Sequence, residues 1–284
     1  MKWQKYIHQH TAEISSVFGA DDAMLILKKI AAHICDSSYA AIKDAEISPE
    51  NIRSANNMLE ELRQGRPLQY ILGEAWFYKY PFKVNETVLI PRPETEELIE
   101  WILSHIRNRK KVNDSLHILD IGTGSGCIPI TLKKERPQDI FTSVDISEKA
   151  LETAQQNAAM HNADIKFQLI DFTDESKWIM FGEYDIIISN PPYIPIHEKE
   201  TLSLHVRDYE PTTALFVPDE HPLLFYEKIA CFGKEHLKED GDIFVELHQK
   251  MAEKTKSLFE MNGYREVCIK KDISGNDRML RAEK

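Results

Sequence analysis

Hydrophobic residues in the first quarter of the chain recur every three or four positions, which is the spacing of one helical face. The pattern is clearest in "DDAMLILKKIAAHI" (21–34) and in "SPENIRSANNMLEELRQG" (48–65). Ser48 is a good N-cap there, and Gly65 suits the end of the helix. The pattern contains no constellation of catalytic residues. Residues 1–74 are therefore predicted to form a small helical-bundle domain.

The pattern changes over "LQYILGEAWFYKYPFKVNETVLI" (68–90), where aromatic and β-branched residues dominate. Such composition favours strands, and "VNET" (84–87) is a plausible turn between them. The sequence therefore predicts a β-hairpin linker over residues 75–92. Helical periodicity resumes after it, and residues 93–284 are predicted to form the second domain.

From residue 116 onward, short apolar runs alternate with helical stretches. Strands that alternate with helices indicate a doubly wound, mainly parallel α/β sheet, in which ligands bind beyond the carboxyl ends of the strands. The predicted strands are 116–121, 139–145, 165–171, 184–189, 241–247, 264–270 and 278–283.

The first of these strands runs into "LDIGTGSGC", a glycine loop that opens a helix. Its spacing, GxGxG, differs from the GxGxxG of dinucleotide-binding proteins. Asp120 precedes the loop, where a carboxylate would be unfavourable beside a pyrophosphate and favourable beside a cation. S-adenosylmethionine carries both a sulfonium and an ammonium group. The loop residues predicted to bind this cofactor are Gly122, Thr123, Gly124, Ser125 and Gly126.

The next two strands also end in acidic residues. Asp145 can accept hydrogen bonds from both hydroxyls of a ribose. Asp171 can accept from an adenine amino group, and Phe172 can stack on the ring. Three acids in register on successive strands, together with the glycine loop, predict an S-adenosylmethionine site and hence methyl transfer.

The fourth strand ends in "NPPY", residues 190–193. Asn190 offers a side-chain carbonyl, and Pro191 offers a backbone carbonyl on a chain whose φ is fixed. Two rigid acceptors suit an NH2 group, and Tyr193 can pack against a planar group. Asn190, Pro191 and Tyr193 are thus the predicted catalytic residues, and Pro192 completes the substrate site. The acceptor is either a carboxamide or the exocyclic amine of a nucleobase.

The 284-residue chain has a net charge of −11, which disfavours nucleic acid as a partner because a phosphate-binding protein usually has a basic face. Four scattered cysteines and the histidine spacing indicate no metal site. No apolar run is long enough for a membrane span, and no signal peptide is evident. We therefore expect a cytoplasmic protein, a monomer by default, with a protein or small-molecule partner.

Several segments together resemble the HemK-type methyltransferases, which methylate the N5 nitrogen of glutamine in peptide chain release factors. NPPY is shared with adenine methyltransferases of DNA, whereas its combination with the other segments is specific. The segments are "GRPLQYILGEAWFY" (65–78), "LIPRPETEELIE" (89–100), "LDIGTGSGCIPI" (119–130), "NPPYIP" (190–195), "VRDYEPTTALF" (206–216) and "DISGNDRML" (272–280).

The resemblance implies a class I methyltransferase domain, Rossmann-like with seven strands, the last pair antiparallel. It implies that the N-terminal helical domain helps to grip the release factor. It also implies that residues 122–126, Asp145 and Phe172 lie at the cofactor, and that residues 190–193 surround the glutamine of a Gly-Gly-Gln loop. Asn190 would then touch both cofactor and substrate. The chain departs from many relatives at His248 and at His221–Pro222, where glycine is common.

Two alternatives remain at this point. An N6-adenine methyltransferase acting on nucleic acid would share NPPY, but it would have to flip a base and hold phosphates. A non-enzymatic module that binds S-adenosylmethionine would not need an intact NPPY.

Overall fold

The computed structural model describes residues 1–108 and 115–284. The helices are α1 Trp3–Phe18, α2 Ala20–Ile34, α3 Tyr39–Ile42, α4 Pro49–Arg63, α5 Leu68–Leu72, α6 Pro93–Asn108, α7 Cys127–Glu135, α8 Glu148–His161, α9 Leu204–Tyr209, α10 Thr212–Leu215, α11 Leu224–His236 and α12 Ala252–Met261. The strands are β1 Glu74–Phe77, β2 Tyr80–Lys83, β3 His117–Ile121, β4 Ile140–Asp145, β5 Lys166–Leu169, β6 Tyr184–Ser189, β7 Ile194–Pro195, β8 Phe216–Val217, β9 Leu237–Glu246, β10 Arg265–Lys271 and β11 Asp277–Glu283. Within the described ranges, no helix combines the length and apolar content that crossing a membrane requires.

The chain forms two compact units, Met1–Glu74 with Leu204–Tyr209, and Ala75–Ser203 with Glu210–Lys284. The first unit is helical, and its core includes Trp3, Tyr6 and Leu59. Ser48 caps α4 by accepting from the Asn51 N–H at 3.1 Å. The predicted helical bundle is thus confirmed, although α9 joins it from a distant part of the sequence.

Two hydrogen bonds hold α9 in the helical unit. His205 Nδ1 lies 2.6 Å from the carbonyl of Gly65, and the Tyr209 hydroxyl donates to the carbonyl of Gln64 at 2.9 Å. Both acceptors follow the end of α4, where helix carbonyls lack intrahelical partners. The segment that carries α9 therefore supplies hydrogen-bond partners for the carbonyls that follow α4 in the helical unit.

The predicted hairpin is present, but it is shorter than predicted. The strands β1 and β2 are joined by a turn at residues 78–79. The turn predicted at "VNET" is present, with the Val88 N–H donating to the Asn85 carbonyl at 3.1 Å, but it follows β2 and does not join the two strands. Tyr78 adopts a φ of 59°, and its backbone N–H donates to Glu96 Oε1 at 2.8 Å. That hydrogen bond supports a left-handed conformation that is costly for a residue with a side chain. Phe77 and Phe82 are buried in a core shared with α6.

The second unit contains a seven-stranded sheet in the order β10-β11-β9-β6-β3-β4-β5. The strands β10 and β11 pair antiparallel with each other, β11 also pairs antiparallel with β9, and the remaining neighbours are parallel. This topology confirms the predicted mainly parallel sheet and its antiparallel last pair. In the parallel registers Ile121 lies beside Ser189, and Ser189 lies beside Val245. Residues that follow β3, β6 and β9 therefore emerge at one edge of the sheet.

Candidate functional site

The glycine loop between β3 and α7 is folded back on the neighbouring strand. The backbone N–H groups of Gly122 and Thr123 both donate to the Val144 carbonyl, at 2.9 and 3.1 Å. Gly126 has a φ of 79°, and a Cβ built there would lie 2.9 Å from Ile130 Cδ1. Glycine is required at this position both by the backbone conformation and by the close packing at the start of α7.

Asp120 is buried beneath this loop without a hydrogen-bond partner. Its side chain is 1% exposed, and neither carboxyl oxygen has a partner among the described residues. The hydroxyls of Thr123, Ser125 and Ser143 are also buried without a partner. Burial raises the pKa of Asp120 to about 7, and the nearby Thr123 hydroxyl opposes that rise. A buried carboxyl with unsatisfied neighbours is well suited to a cationic or hydrogen-bond-donating ligand.

Asp145 ends β4 and has both carboxyl oxygens fixed by backbone groups. The Gly124 N–H donates to Oδ2 and the Ser147 N–H donates to Oδ1, each at 2.9 Å. Burial raises the pKa of Asp145, and these N–H groups oppose the rise. A carboxylate oxygen has two lone pairs, so each oxygen can still accept from a ligand hydroxyl.

Asp171 and Phe172 follow β5. Asp171 Oδ1 accepts from the backbone N–H and the hydroxyl of Thr173, at 2.9 and 2.6 Å. Phe172 is buried, and its ring packs near those of Trp178 and Phe232, with centroids 5.7 and 5.1 Å away. The positions of both side chains are therefore set by local contacts.

Most of the predicted site residues line one cavity of about 360 Å³. The predicted residues that line it are Gly122, Thr123, Gly124, Ser125, Asp145, Asp171, Phe172, Asn190, Pro191 and Pro192. Gly126 and Tyr193 of the predicted set lie outside the lining. Residues that line the cavity without having been predicted as site residues include Arg92, Thr95, Pro211, Thr213 and Phe225. Two of the predicted carboxylates, Asp145 and Asp171, line the cavity together with the glycine loop, whereas the buried Asp120 does not line it.

Asn190 is held at the edge of this cavity by a buried hydroxyl. Its Nδ2 group donates to Thr95 Oγ1 at 3.2 Å, and the Thr95 hydroxyl donates to Glu246 Oε2 at 2.6 Å. The Tyr193 hydroxyl donates to the other oxygen of Glu246 at 3.2 Å. Burial raises the pKa of Glu246, whereas the Thr95 hydroxyl and the charge of Arg278 oppose the rise. Thr95 and Glu246 were not predicted as site residues, although Thr95 lies within "PRPETE" (91–96), which is part of the quoted segment "LIPRPETEELIE".

Two further contacts lie at this site, since Arg92 lines the same cavity as Asn190 and His248 contacts Tyr193. Arg92 pairs with the buried Glu210 at 2.6 Å, which joins the "PRPETE" segment to "YEPTTAL" (209–215), part of the quoted segment "VRDYEPTTALF". His248 lies edge-on to Tyr193, with ring centroids 5.9 Å apart, and its Nε2 is 3.5 Å from Glu198 Oε2. Burial lowers the pKa of His248. His248 therefore packs against the ring of Tyr193.

Comparison with known proteins agrees with this geometry. A model of the methyltransferase small domain matches residues 99–208. The release factor glutamine methyltransferase of Flavobacterium psychrophilum is 44% identical over 229 residues, which is 79% of this chain and 78% of that protein. The corresponding protein of Bacteroides thetaiotaomicron is 42% identical over 242 residues, 85% of this chain and 84% of that protein.

Solved structures show the same fold at low sequence identity. The human methyltransferase 10 domain containing protein aligns with a TM-score of 0.53 at 17% identity, over 71% of this chain and 86% of that chain. A methyltransferase from Pyrococcus furiosus aligns with a TM-score of 0.50 at 17% identity, over 82% of this chain and 98% of that chain.

The sheet order, the loop and these matches place the protein among the class I methyltransferases, enzymes that use S-adenosylmethionine as methyl donor. Within that class, the chain belongs to the release factor glutamine methyltransferase family.

Proposed function

We propose that this protein transfers a methyl group from S-adenosylmethionine to the N5 amide nitrogen of the glutamine in the Gly-Gly-Gln motif of peptide chain release factors. The observation that carries the proposal is that Asn190 and Asp145 line one cavity, in a chain 44% identical to a release factor glutamine methyltransferase. Asn190 belongs to the predicted acceptor site, whereas Asp145 belongs to the predicted cofactor site. Methylation at this glutamine would act on translation termination.

The acceptor nitrogen would be held by two oxygens. No described group donates to Asn190 Oδ1, so that oxygen is available to an incoming N–H. The carbonyl of Pro191 would accept the second N–H of the same NH2 group, and Pro192 and Tyr193 would complete the wall around the planar amide. An amide nitrogen is a poor nucleophile, so the chain's contribution is to hold it in line for attack. Acceptors that interact more strongly as positive charge develops on the nitrogen would add electrostatic stabilisation.

The cofactor supplies an electrophilic methyl group when it is bound. We assign its adenosyl and amino acid moieties to the two ends of the loop-lined cavity. Asp145 would accept from the ribose hydroxyls, whereas Asp171 and Phe172 would contact the adenine. Asp120 would face the cationic end from beneath the glycine loop, where its burial makes a positively charged partner favourable. The loop residues assigned to the cofactor are Gly122, Thr123, Gly124, Ser125 and Gly126.

The partner implied by the family is the release factor, a protein rather than a nucleic acid. We further propose that residues 1–74 contribute to its recognition, and that the enzyme acts as a monomer in the cytoplasm. The net charge of −11 supports a protein substrate over a nucleic acid.

The proposal is tested by incubating the enzyme with methyl-labelled S-adenosylmethionine and three acceptors. These are a purified release factor, the same factor with its Gly-Gly-Gln glutamine changed to alanine, and duplex DNA. We expect label only in the unaltered factor, with mass spectrometry locating one added methyl on that glutamine. Label in DNA alone would favour the adenine methyltransferase alternative, and label in no acceptor would favour a binding module.

A further inference from the structure

A buried carboxylate beneath the NPPY segment accepts hydrogen bonds on both of its oxygens. Glu246 is 1% exposed and ends β9, next to the end of β6 in the sheet. Oε2 accepts from the Thr95 hydroxyl at 2.6 Å, and Oε1 accepts from the Tyr193 hydroxyl at 3.2 Å. Charged acceptors make hydrogen bonds that are stronger than those between neutral groups. Glu246 therefore fixes two hydroxyls that lie on different segments of the chain.

The hydroxyl of Thr95 has only one hydrogen, and this hydrogen is used for Glu246. Its oxygen can then only accept from Asn190, which it does from Nδ2 at 3.2 Å. If the Asn190 amide were rotated by half a turn, its carbonyl oxygen would face a hydroxyl without a hydrogen to donate. The carboxylate thus determines, through Thr95, which end of the Asn190 amide lies away from the protein interior.

We propose that Thr95 and Glu246 are positioning residues for methyl transfer: the chain Asn190 → Thr95 → Glu246 turns Asn190 Oδ1 toward the acceptor NH2 group. Neither residue contacts the reacting atoms in this proposal. Glu246 also anchors Tyr193, so one buried carboxylate organises the first and last residues of NPPY. The inference rests on the proposed function for the identity of the acceptor.

Thr95→Val tests the relay because valine keeps the shape of threonine and loses its hydroxyl. We expect kcat on the release factor to fall about tenfold or more, because the Asn190 amide loses the contact that orients it. The Kd for S-adenosylmethionine should change little. Thr95→Ser restores the hydroxyl and should recover most of kcat. Thr131→Val is the matched control, since Thr131 is also buried, has no hydrogen-bond partner in the described structure and does not line the cavity.

Glu246→Gln tests the other end of the relay. A glutamine has a single oxygen acceptor, so either Thr95 or Tyr193 loses its acceptor while the side-chain volume is kept. We expect a reduced kcat with cofactor binding preserved. Wild-type kcat in both Thr95→Val and Glu246→Gln would overturn the proposal.

A spectroscopic measurement keeps this test independent of the substrate. The side-chain NH2 signals of Asn190, identified by their loss in Asn190→Ala, should shift in Thr95→Val and remain in place in Thr95→Ser and Thr131→Val. Unmoved signals in Thr95→Val would disprove the relay. If the wild-type enzyme failed to methylate the release factor, the proposed function would be wrong, and these signals would still decide whether Thr95 orients Asn190.

Discussion

The backbone N–H of Gly124 donates to Asp145 Oδ2 at 2.9 Å, so the glycine loop and the end of the next strand share one carboxylate. The other oxygen is fixed by the Ser147 N–H, at the start of α8. The Asp145 carboxylate is therefore held in place before any ligand binds. The conformational entropy of its side chain is lost during folding and not during binding. Preorganised groups improve binding because less freedom is lost when the ligand arrives.

Replacing Asp145 with alanine should weaken cofactor binding. The variant loses both the proposed ribose acceptor and the contact that holds the Gly124 backbone. We expect the Kd for S-adenosylmethionine to rise by about tenfold to a hundredfold, measured by titration calorimetry. Asp277→Ala is a suitable control because that aspartate pairs with Lys271 and lies outside the cavity lining. An unchanged Kd in Asp145→Ala would refute the ribose assignment.

Asn190→Ala should separate catalysis from cofactor binding. The variant lacks the side-chain acceptor for the substrate NH2 group, so single-turnover methylation of a release factor should be lost. The Kd for S-adenosylmethionine should be largely preserved, since the loop and Asp145 remain. Asn262→Ala provides the control, because Asn262 donates to the Leu258 carbonyl at the end of α12. Full turnover by Asn190→Ala would show that the two-acceptor arrangement is not needed.

The strand ends of the site were predictable because they depend on local signals. An apolar run predicts a buried strand, and an acidic residue or a proline marks where it stops. Asp120, Asp145 and Asn190 were assigned in this way, and both Asp145 and Asn190 line the cavity. Parallel strands bring their carboxyl ends to one edge, so distant segments could be combined without knowledge of the packing.

The supporting residues were missed because they act across long sequence separations. Thr95 and Glu246 are 151 positions apart, and neither has a local pattern that indicates the other. Their contact depends on how α6 packs against the sheet, which hydrophobic periodicity does not specify. The hairpin turn was misplaced for a similar reason. Its left-handed Tyr78 is stabilised by Glu96 from another element, and the turn has none of the glycine or asparagine residues that usually mark such positions.

The buried Asp120 predicts a pH-dependent stability. Its folded-state pKa of about 7 lies above the ordinary value of 3.8, so the folded state favours the neutral acid. The stability gained in this way is full below the unfolded pKa and is lost as pH rises through the folded pKa. Without cofactor, the free energy of unfolding of Asp120→Asn relative to that of wild type should increase by about 3 kcal/mol between pH 5 and pH 8. Urea unfolding at both pH values measures it, with Asp277→Asn as control. A difference that did not vary with pH would contradict the raised pKa.

Two glycines of the same loop should differ in their tolerance of alanine. Both have positive φ, 54° at Gly124 and 79° at Gly126. A Cβ at Gly124 would meet no atom within 4 Å, whereas one at Gly126 would lie 3.2 Å from Ala154 Cβ and even closer to Ile130. We expect Gly124→Ala to cost about 1 kcal/mol and Gly126→Ala about 3 kcal/mol of unfolding free energy. Thermal and urea unfolding would test the ranking, and equal costs would show that α7 relaxes away from the added methyl.

Removing Arg92 alone should lower the free energy of unfolding far more than removing both charges of the Arg92–Glu210 pair. Glu210 is 4% exposed, and its second oxygen has no partner among the described residues. Arg92→Ala would leave this buried carboxylate without its cationic partner, at a cost of about 3 kcal/mol at pH 8. Adding Glu210→Gln removes the charge, so the double variant should regain part of that loss. The exposed pair Lys271–Asp277 provides the control, since Lys271→Ala should cost less than about 1 kcal/mol. If the two single substitutions proved additive in a double-mutant cycle, the pair would not be coupled, and the link between the "PRPETE" and "YEPTTAL" segments would have to depend on packing alone.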